Sequence, residues 1–326
     1  MSNSKLTGVI LAAGKGTRMH PFSEDYPKPM LPVGNKPLLC HQIESMRDAN
    51  IGRVIIVIGH LGHKIVKEIG DGRSFGVTID YVEQKEMLGI AHAVGQLEQY
   101  VTSPFLLFLG DIFFIPADIS PMIEAFYERQ AAAVLAVKRE SDSAAIMKNF
   151  SVILDGDDRV QRVIEKPRYV QSDLKGCGLY LFDLAIFDAI RRTPRTAMRN
   201  EYEITESIQI MIDDGLLVRA SSMVEEDMNL TTPLDLVQSN MRYLGLRGKR
   251  SLIGQNTAIN PDARIINSII GDNAIIRHPV NIQNTVIFHD SEVVTGNDLH
   301  NVIVTPHRII QTYHSGGELS GEEEPR

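Results

Sequence analysis

Leu6-Thr7-Gly8-Val9-Ile10-Leu11 runs straight into Ala12-Ala13-Gly14-Lys15-Gly16-Thr17-Arg18-Met19, an apolar strand followed by a loop of small residues. A largely unbroken apolar run reads as a strand buried on both faces, because a half-exposed strand would alternate. Gly14 and Gly16 permit the dihedrals of a tight turn and let the backbone approach a ligand closely. Successive backbone N–H groups in such a loop make an anion nest able to wrap a triphosphate. No Gly-Lys-Ser/Thr closes it, so it is not a Walker loop. The third glycine of a dinucleotide fingerprint would fall near Met19.

Outward from this stretch, 53–58, 105–109 and 132–137 read as further buried strands, separated by helical patterns over 37–49, 91–100 and 118–130. Buried strands alternating with helices predict an α/β fold with a mostly parallel sheet covered on both faces. Shorter strands at 150–154, 159–164 and 177–182, then helices at 203–213 and 233–246, read as an insertion or lid built onto that sheet. After Arg250 the texture changes. Ile253, Ile259, Ile265, Ile270, Ile276, Ile282 and Phe288 recur at steps of six with one step of five. That period predicts a hexapeptide β-helix of about three turns. The expected domains are therefore 1–246 (catalytic), 251–306 (β-helix) and 307–326, a disordered acidic tail.

Composition bounds the function. The chain has 326 residues with 33 Lys+Arg against 41 Asp+Glu, a formal charge of −8. Such a balance argues against holding nucleic acid mainly through its phosphates. No stretch approaches the ~20 apolar residues of a membrane span, and the N-terminus does not read as a signal peptide. Only Cys40 and Cys177 are present, so a reducing cytoplasm is the expected location.

Arg18 and, ten residues on, Lys28 add cations beside the anion nest. Lys28 lies in Tyr26-Pro27-Lys28-Pro29-Met30-Leu31-Pro32-Val33, where prolines stiffen the presenting segment. Two cations beside a nest suit phosphoryl chemistry. Leu11–Met19 joined to Lys28–Val33 and Lys36-Pro37-Leu38 resembles the sugar-1-phosphate nucleotidyltransferases, and the likeness continues to about residue 240. The resemblance implies a mostly parallel Rossmann-like sheet followed here by a short left-handed β-helix. It also implies a reaction of nucleoside triphosphate with sugar 1-phosphate, giving nucleotide sugar and pyrophosphate with Mg2+. In those terms Leu11, Ala12, Ala13, Gly14, Gly16 and Thr17 would bind the nucleotide, and Arg18 and Lys28 would stabilise the transferring and leaving phosphates.

The same resemblance places other stations. Gln84 and Gly89, in Gln84-Lys85-Glu86-Met87-Leu88-Gly89-Ile90-Ala91-His92-Ala93, match a base-recognition loop of the thymidylyl- and uridylyltransferase type, which favours dTTP or UTP. Asp111, ending Leu107-Phe108-Leu109-Gly110-Asp111, is a hard carboxylate at a strand end, where open α/β sheets place their ligands. It matches the main metal ligand of the family. Asn229 stands where many members carry the second metal Asp, and Asp227 is a possible substitute. Glu165 and Lys166, with Gly178 and Glu203, match the residues around the sugar and its phosphate. Ile112 and Ser151 depart from the usual sugar contacts, so glucose 1-phosphate is not implied.

Two rival readings stay open at this point: acyl transfer by the β-helix with His278 or His289 as base, and a nucleotide-sugar sensor without activity. The β-helix is also expected to support a homo-oligomer.

Overall fold

The computed structural model describes residues 6–115, 118–197 and 200–312. Contacts divide the chain into two compact units. One joins the chain up to Lys15 with Leu39–Asp227, and the other joins Gly16–Leu38 with the chain from Met228 onward. The expected boundary near 246–251 is thus not where the chain divides. Residues 16–38 and the Pro233–Leu246 helix group with the C-terminal repeats, and side chains explain this. Asn240, fully buried, accepts from the Gly34 N–H at 2.9 Å and donates to the Pro32 carbonyl at 2.9 Å. Asn35 donates to the Ile270 carbonyl at 2.6 Å. Among the described residues no helix is long and apolar enough to cross a membrane.

The first unit is built on a nine-stranded sheet. Thr7–Ala12 lies in its middle, parallel to Arg53–Ile58 on one side and to Phe105–Leu109 on the other, and Thr78–Glu83 pairs parallel beyond Arg53–Ile58. The register aligns the strand ends: Ala12 faces Ile58, Ile58 faces Glu83, and Leu11 faces Leu109. The loops that follow residues 12, 58, 83 and 109 therefore leave from one edge, which is where an open α/β sheet gathers its ligand-binding loops.

The block expected as a lid is part of the sheet itself. Leu174–Phe182, buried along its whole length, runs antiparallel between Phe105–Leu109 and Ala133–Arg139. Phe150–Leu154 and Val160–Glu165 extend the sheet beside it. Its ladder breaks between Gly176 and Tyr180, where Gly178 adopts φ +70°. This bulge is why its apolar run looked short and detached in the sequence. Val218–Ser221 adds a parallel strand outside Ala133–Arg139.

In the second unit the repeats form a parallel β-helix whose coils are 17 residues long: Leu252 pairs with Ile269, Ala258 with Ile275, and Arg264 with Asn281. Each coil thus takes steps of six, six and five, as Ile270, Ile276, Ile282, Ile287, Val293 and Leu299 line the core. Phe288, expected on this inward ladder, lies one residue off it. It stacks on Phe22 (ring centroids 5.8 Å apart) and meets Tyr26 edge-on at 5.3 Å. Ile309–Gln311 forms an antiparallel strand on Val302–Val304. This corrects the expected tail over 307–312, since the alternating apolar residues there extend the sheet. Residues 313–326 of that tail lie outside the described residues.

Candidate active site

Asp111 occupies the turn between Phe105–Leu109 and Ile112–Ile115 and is partly exposed. Two contacts fix this turn. The Gly110 N–H donates to the Leu11 carbonyl at 2.9 Å, tying the acid's strand end to the start of the glycine loop. The Gln42 amide donates from the 38–48 helix to the carbonyls of Leu109 at 2.9 Å and Ile112 at 3.0 Å. Gln42 is 3% exposed, and its Oε1 is one of the buried polar atoms without a hydrogen-bond partner among the described residues. Its burial and double donation make it a positioning residue. The only hint in the sequence is a polar residue among Leu38, Leu39, Ile43 and Met46.

Gln84, buried, follows Thr78–Glu83. Its N–H donates to the Ile58 carbonyl at 2.8 Å and its side-chain amide to the Glu86 carbonyl at 3.1 Å. Gly89 adopts φ +106°, and a Cβ there would lie 2.5 Å from the Tyr202 carbonyl oxygen. The glycine is thus required by the close approach of residues 88–91 to Tyr202, whose N–H donates to the Leu88 carbonyl at 2.7 Å. That approach brings the Gln84–Gly89 loop beside Glu203, which is 5% exposed and stands at the N-terminal end of the Ile204–Asp213 helix. A carboxylate at a helix N-terminus is favourably placed against the helix dipole.

Glu165 ends its strand and accepts from Thr205 Oγ1 at 3.2 Å. Lys166 follows in a left-handed conformation, φ +40°, with its ammonium 3.8 Å from Glu165. Gly178 faces Ile112 so closely that a Cβ would lie 2.5 Å from the Ile112 methyl. The two departures noted in the sequence are both buried: Ile112 is 3% exposed, and Ser151 is fully buried with its Oγ unpaired among the described residues.

Asp227, the possible substitute metal ligand, is committed elsewhere. Lys175 donates to both its oxygens at 2.7 Å, and Lys138 reaches it at 3.0 Å and Glu140 at 3.3 Å. Burial alone would lower the Lys138 value, but Asp227 and Glu140 outweigh it and raise it. Burial, then Asp227, pushes the neighbouring Cys177 thiol up, so it stays protonated. A carboxylate already neutralised by two ammonium groups is a poor ligand for a metal.

In the second unit, Gly16 adopts φ +62° and caps a tight turn at Thr17–Met19, in which Met19 is buried and Arg18 exposed. A Cβ on Gly16 would sit 3.6 Å from that of Lys28, so the lysine stem packs over the glycine. Asn229 ends a short strand before Thr232, whose side chain and Asp235 form a reciprocal capping box for the Pro233–Leu246 helix. His278 and His289 are exposed on the coil.

Among the described residues no three His, Cys, Asp or Glu side chains cluster as a metal site. Asp111 is a partly exposed hard carboxylate on a fixed turn. That fits a divalent ion such as Mg2+, which binds through one or two carboxylates and takes its other ligands from phosphate and water.

The chain is 32% identical over 282 residues to a glucose-1-phosphate thymidylyltransferase of Streptomyces antibioticus, covering 83% of this chain and 78% of that protein. It is 33% identical over 239 residues to the UTP–glucose-1-phosphate uridylyltransferase AglF of Haloferax volcanii, covering 73% of this chain and 96% of that one. A solved UDP-glucose pyrophosphorylase complexed with UDP-glucose shares the fold. It has a TM-score of 0.65 and 22% identity, over 74% of this chain and 100% of that one. A family model described as nucleotidyl transferase matches residues 7–240. The chain belongs to the nucleotidyl transferase family, and it is an enzyme of that class.

Proposed function

We propose that this protein transfers a nucleotidyl group from dTTP or UTP to a sugar 1-phosphate and releases pyrophosphate. The observation that carries the reading is the Gly110–Leu11 hydrogen bond. It ties the turn that carries Asp111 to the strand end from which the phosphate loop leaves.

An oxygen of the sugar 1-phosphate attacks the α-phosphorus. The bond from that phosphorus to the bridging oxygen breaks, and pyrophosphate leaves. The nucleophile is already an anion, so no general base is required, and catalysis rests on alignment and charge. Backbone N–H groups of Ala12 to Thr17 cradle the triphosphate. Arg18 and Lys28 neutralise its phosphates, and Gln84 reads the pyrimidine edge beside Gly89. Lys166 holds the acceptor phosphate, while Glu165 and Glu203 accept sugar hydroxyls near Gly178. Asp111 would hold Mg2+. When bound, the ion neutralises charge on both phosphates. The β-helix serves self-association, through the open strand edges of its first coil.

Pyrophosphate release measured for four nucleoside triphosphates against a panel of sugar 1-phosphates tests this. Turnover confined to dTTP or UTP is expected. Silence across the whole matrix overturns the proposal in favour of a sensing role.

A further inference from the structure

The first unit carries a charged cavity at the end of the sheet opposite the phosphate loop. Ala133 faces both Val218 and Phe182, Phe182 faces Phe105, and Phe105 faces Thr7. All of these lie where the parallel strands begin, whereas Leu11, Ile58, Glu83 and Leu109 lie where they end. At the beginning end a cavity of about 380 Å³ is lined by Arg129, Asp155, Asp157, Arg159, Leu217 and Arg219. Its parts are held in place by backbone bonds. Ala220 N–H donates to the Asp158 carbonyl at 3.0 Å, Asp155 N–H donates to the Arg159 carbonyl at 2.9 Å, and Arg159 bridges to Arg219.

The charges are unevenly matched. Arg219 is only 8% exposed, yet its one ion pair among the described residues is with Asp157, at 3.7 Å. That distance is too long for a good charge-assisted hydrogen bond, and the Asp157 side chain is itself 81% exposed. Arg129 and Arg159 make no ion pair among the described residues. A buried guanidinium presents five donors in a fixed fork and is costly to hold without acceptors. Three guanidiniums lining one cavity, of which Arg219 is buried and Arg129 and Arg159 are exposed, suit a dianionic phosphate, which outcompetes a distant, solvated carboxylate. Asp155 gives one oxygen to the Asp157 N–H at 3.2 Å. Its other oxygen keeps acceptor capacity for a hydroxyl, and Leu217 offers an apolar wall.

We propose that this cavity is a second ligand site, separate from the phosphate loop, that takes a phosphate monoester bearing hydroxyl groups. The test is a phosphorus-31 NMR titration of the full chain in the Arg18→Ala/Lys166→Ala background, which removes cations assigned to the catalytic site. Inorganic phosphate should still bind there. Adding Arg129→Ala and Arg159→Ala, both exposed and therefore harmless to folding, should weaken that binding by at least about tenfold. Glycerol 3-phosphate should bind more tightly than inorganic phosphate. The proposal is overturned if the Arg18→Ala/Lys166→Ala protein no longer binds phosphate. Changes within twofold on removing Arg129 and Arg159, or equal affinity for ester and inorganic phosphate, overturn it as well.

Discussion

The Lys166 N–H donates to the Asn149 carbonyl at 2.8 Å, and that bond anchors Lys166 in the left-handed region at φ +40°. A lysine there is strained, whereas glycine is not. Strain at a residue assigned to the acceptor phosphate separates stability from activity. Lys166→Gly should be more stable than Lys166→Ala by about 1 kcal/mol, while both lose turnover by about a hundredfold or more. Thermal denaturation and pyrophosphate release on the same samples check this. An alanine variant at least as stable as the glycine one would remove the strain argument.

Gln42 gives a different signature. Gln42→Leu keeps the volume but leaves the Leu109 and Ile112 carbonyls without their donor, at a cost of about 1–3 kcal/mol. The looser turn should raise the Mg2+ concentration needed for half-maximal rate more than it lowers the rate at saturating Mg2+. A metal titration of the variant reads this directly. An unchanged Mg2+ requirement alongside lost stability would show that Gln42 is structural only.

Arg18 is exposed. Arg18→Ala should therefore leave the melting temperature unaltered and cut turnover by about 10²–10³-fold. A near-normal rate would sink its assigned role.

Asp227 belongs to the opposite class. Asp227→Asn halves the negative charge facing Lys138 and Lys175 while Lys175 stays 3% exposed. Removing one partner of a buried pair costs about 3–5 kcal/mol. Urea denaturation should show that loss, and Asp227→Asn paired with Lys175→Met should recover part of it.

The pH dependence has a defined direction. Glu140 is held below the ordinary glutamate range, first by the Asp142 N–H at 3.1 Å and further by Lys138, against the opposing effect of burial. Its folded value lies below the unfolded one, so its stabilisation is complete above the unfolded value. It disappears as pH falls through the folded one. Stability of the wild type should thus fall more steeply below the ordinary glutamate range than that of Glu140→Gln. Superimposable acid-unfolding curves would contradict this.

Much of this molecule is readable from residue order alone. The strands Arg53–Ile58 and Phe105–Leu109 are apolar on both faces, a pattern that does not depend on knowing neighbours. Thr78–Glu83 escaped notice because it is an edge strand with Asp80 and Glu83 turned outward. Leu174–Phe182 was misplaced because Gly176 and Gly178 interrupt its apolar run. A Cβ at 176 would lie 1.8 Å from the Phe150 ring, so that glycine records a contact invisible in the chain itself. The motif residues were legible because their spacing is local. The residues that aim them were not. Gln42 reaches partners 67 and 70 positions away, and Asn240 reaches one 208 positions away.

The coil carries a constraint on how this protein can change length. Left-handed asparagines stand at its corners and bond one coil to the next: Asn267 donates to Asn284 at 2.7 Å, and Asn273 to Asp290 at 2.8 Å, each pair 17 residues apart. Ser268 and Thr285 stack with the same spacing. Inserting one residue within a coil would rotate every later isoleucine out of the core and break every ladder beyond it. Growth or shortening is therefore quantised. Whole 17-residue segments can be added or removed with the ladders intact, while smaller insertions survive only as loops at the corners.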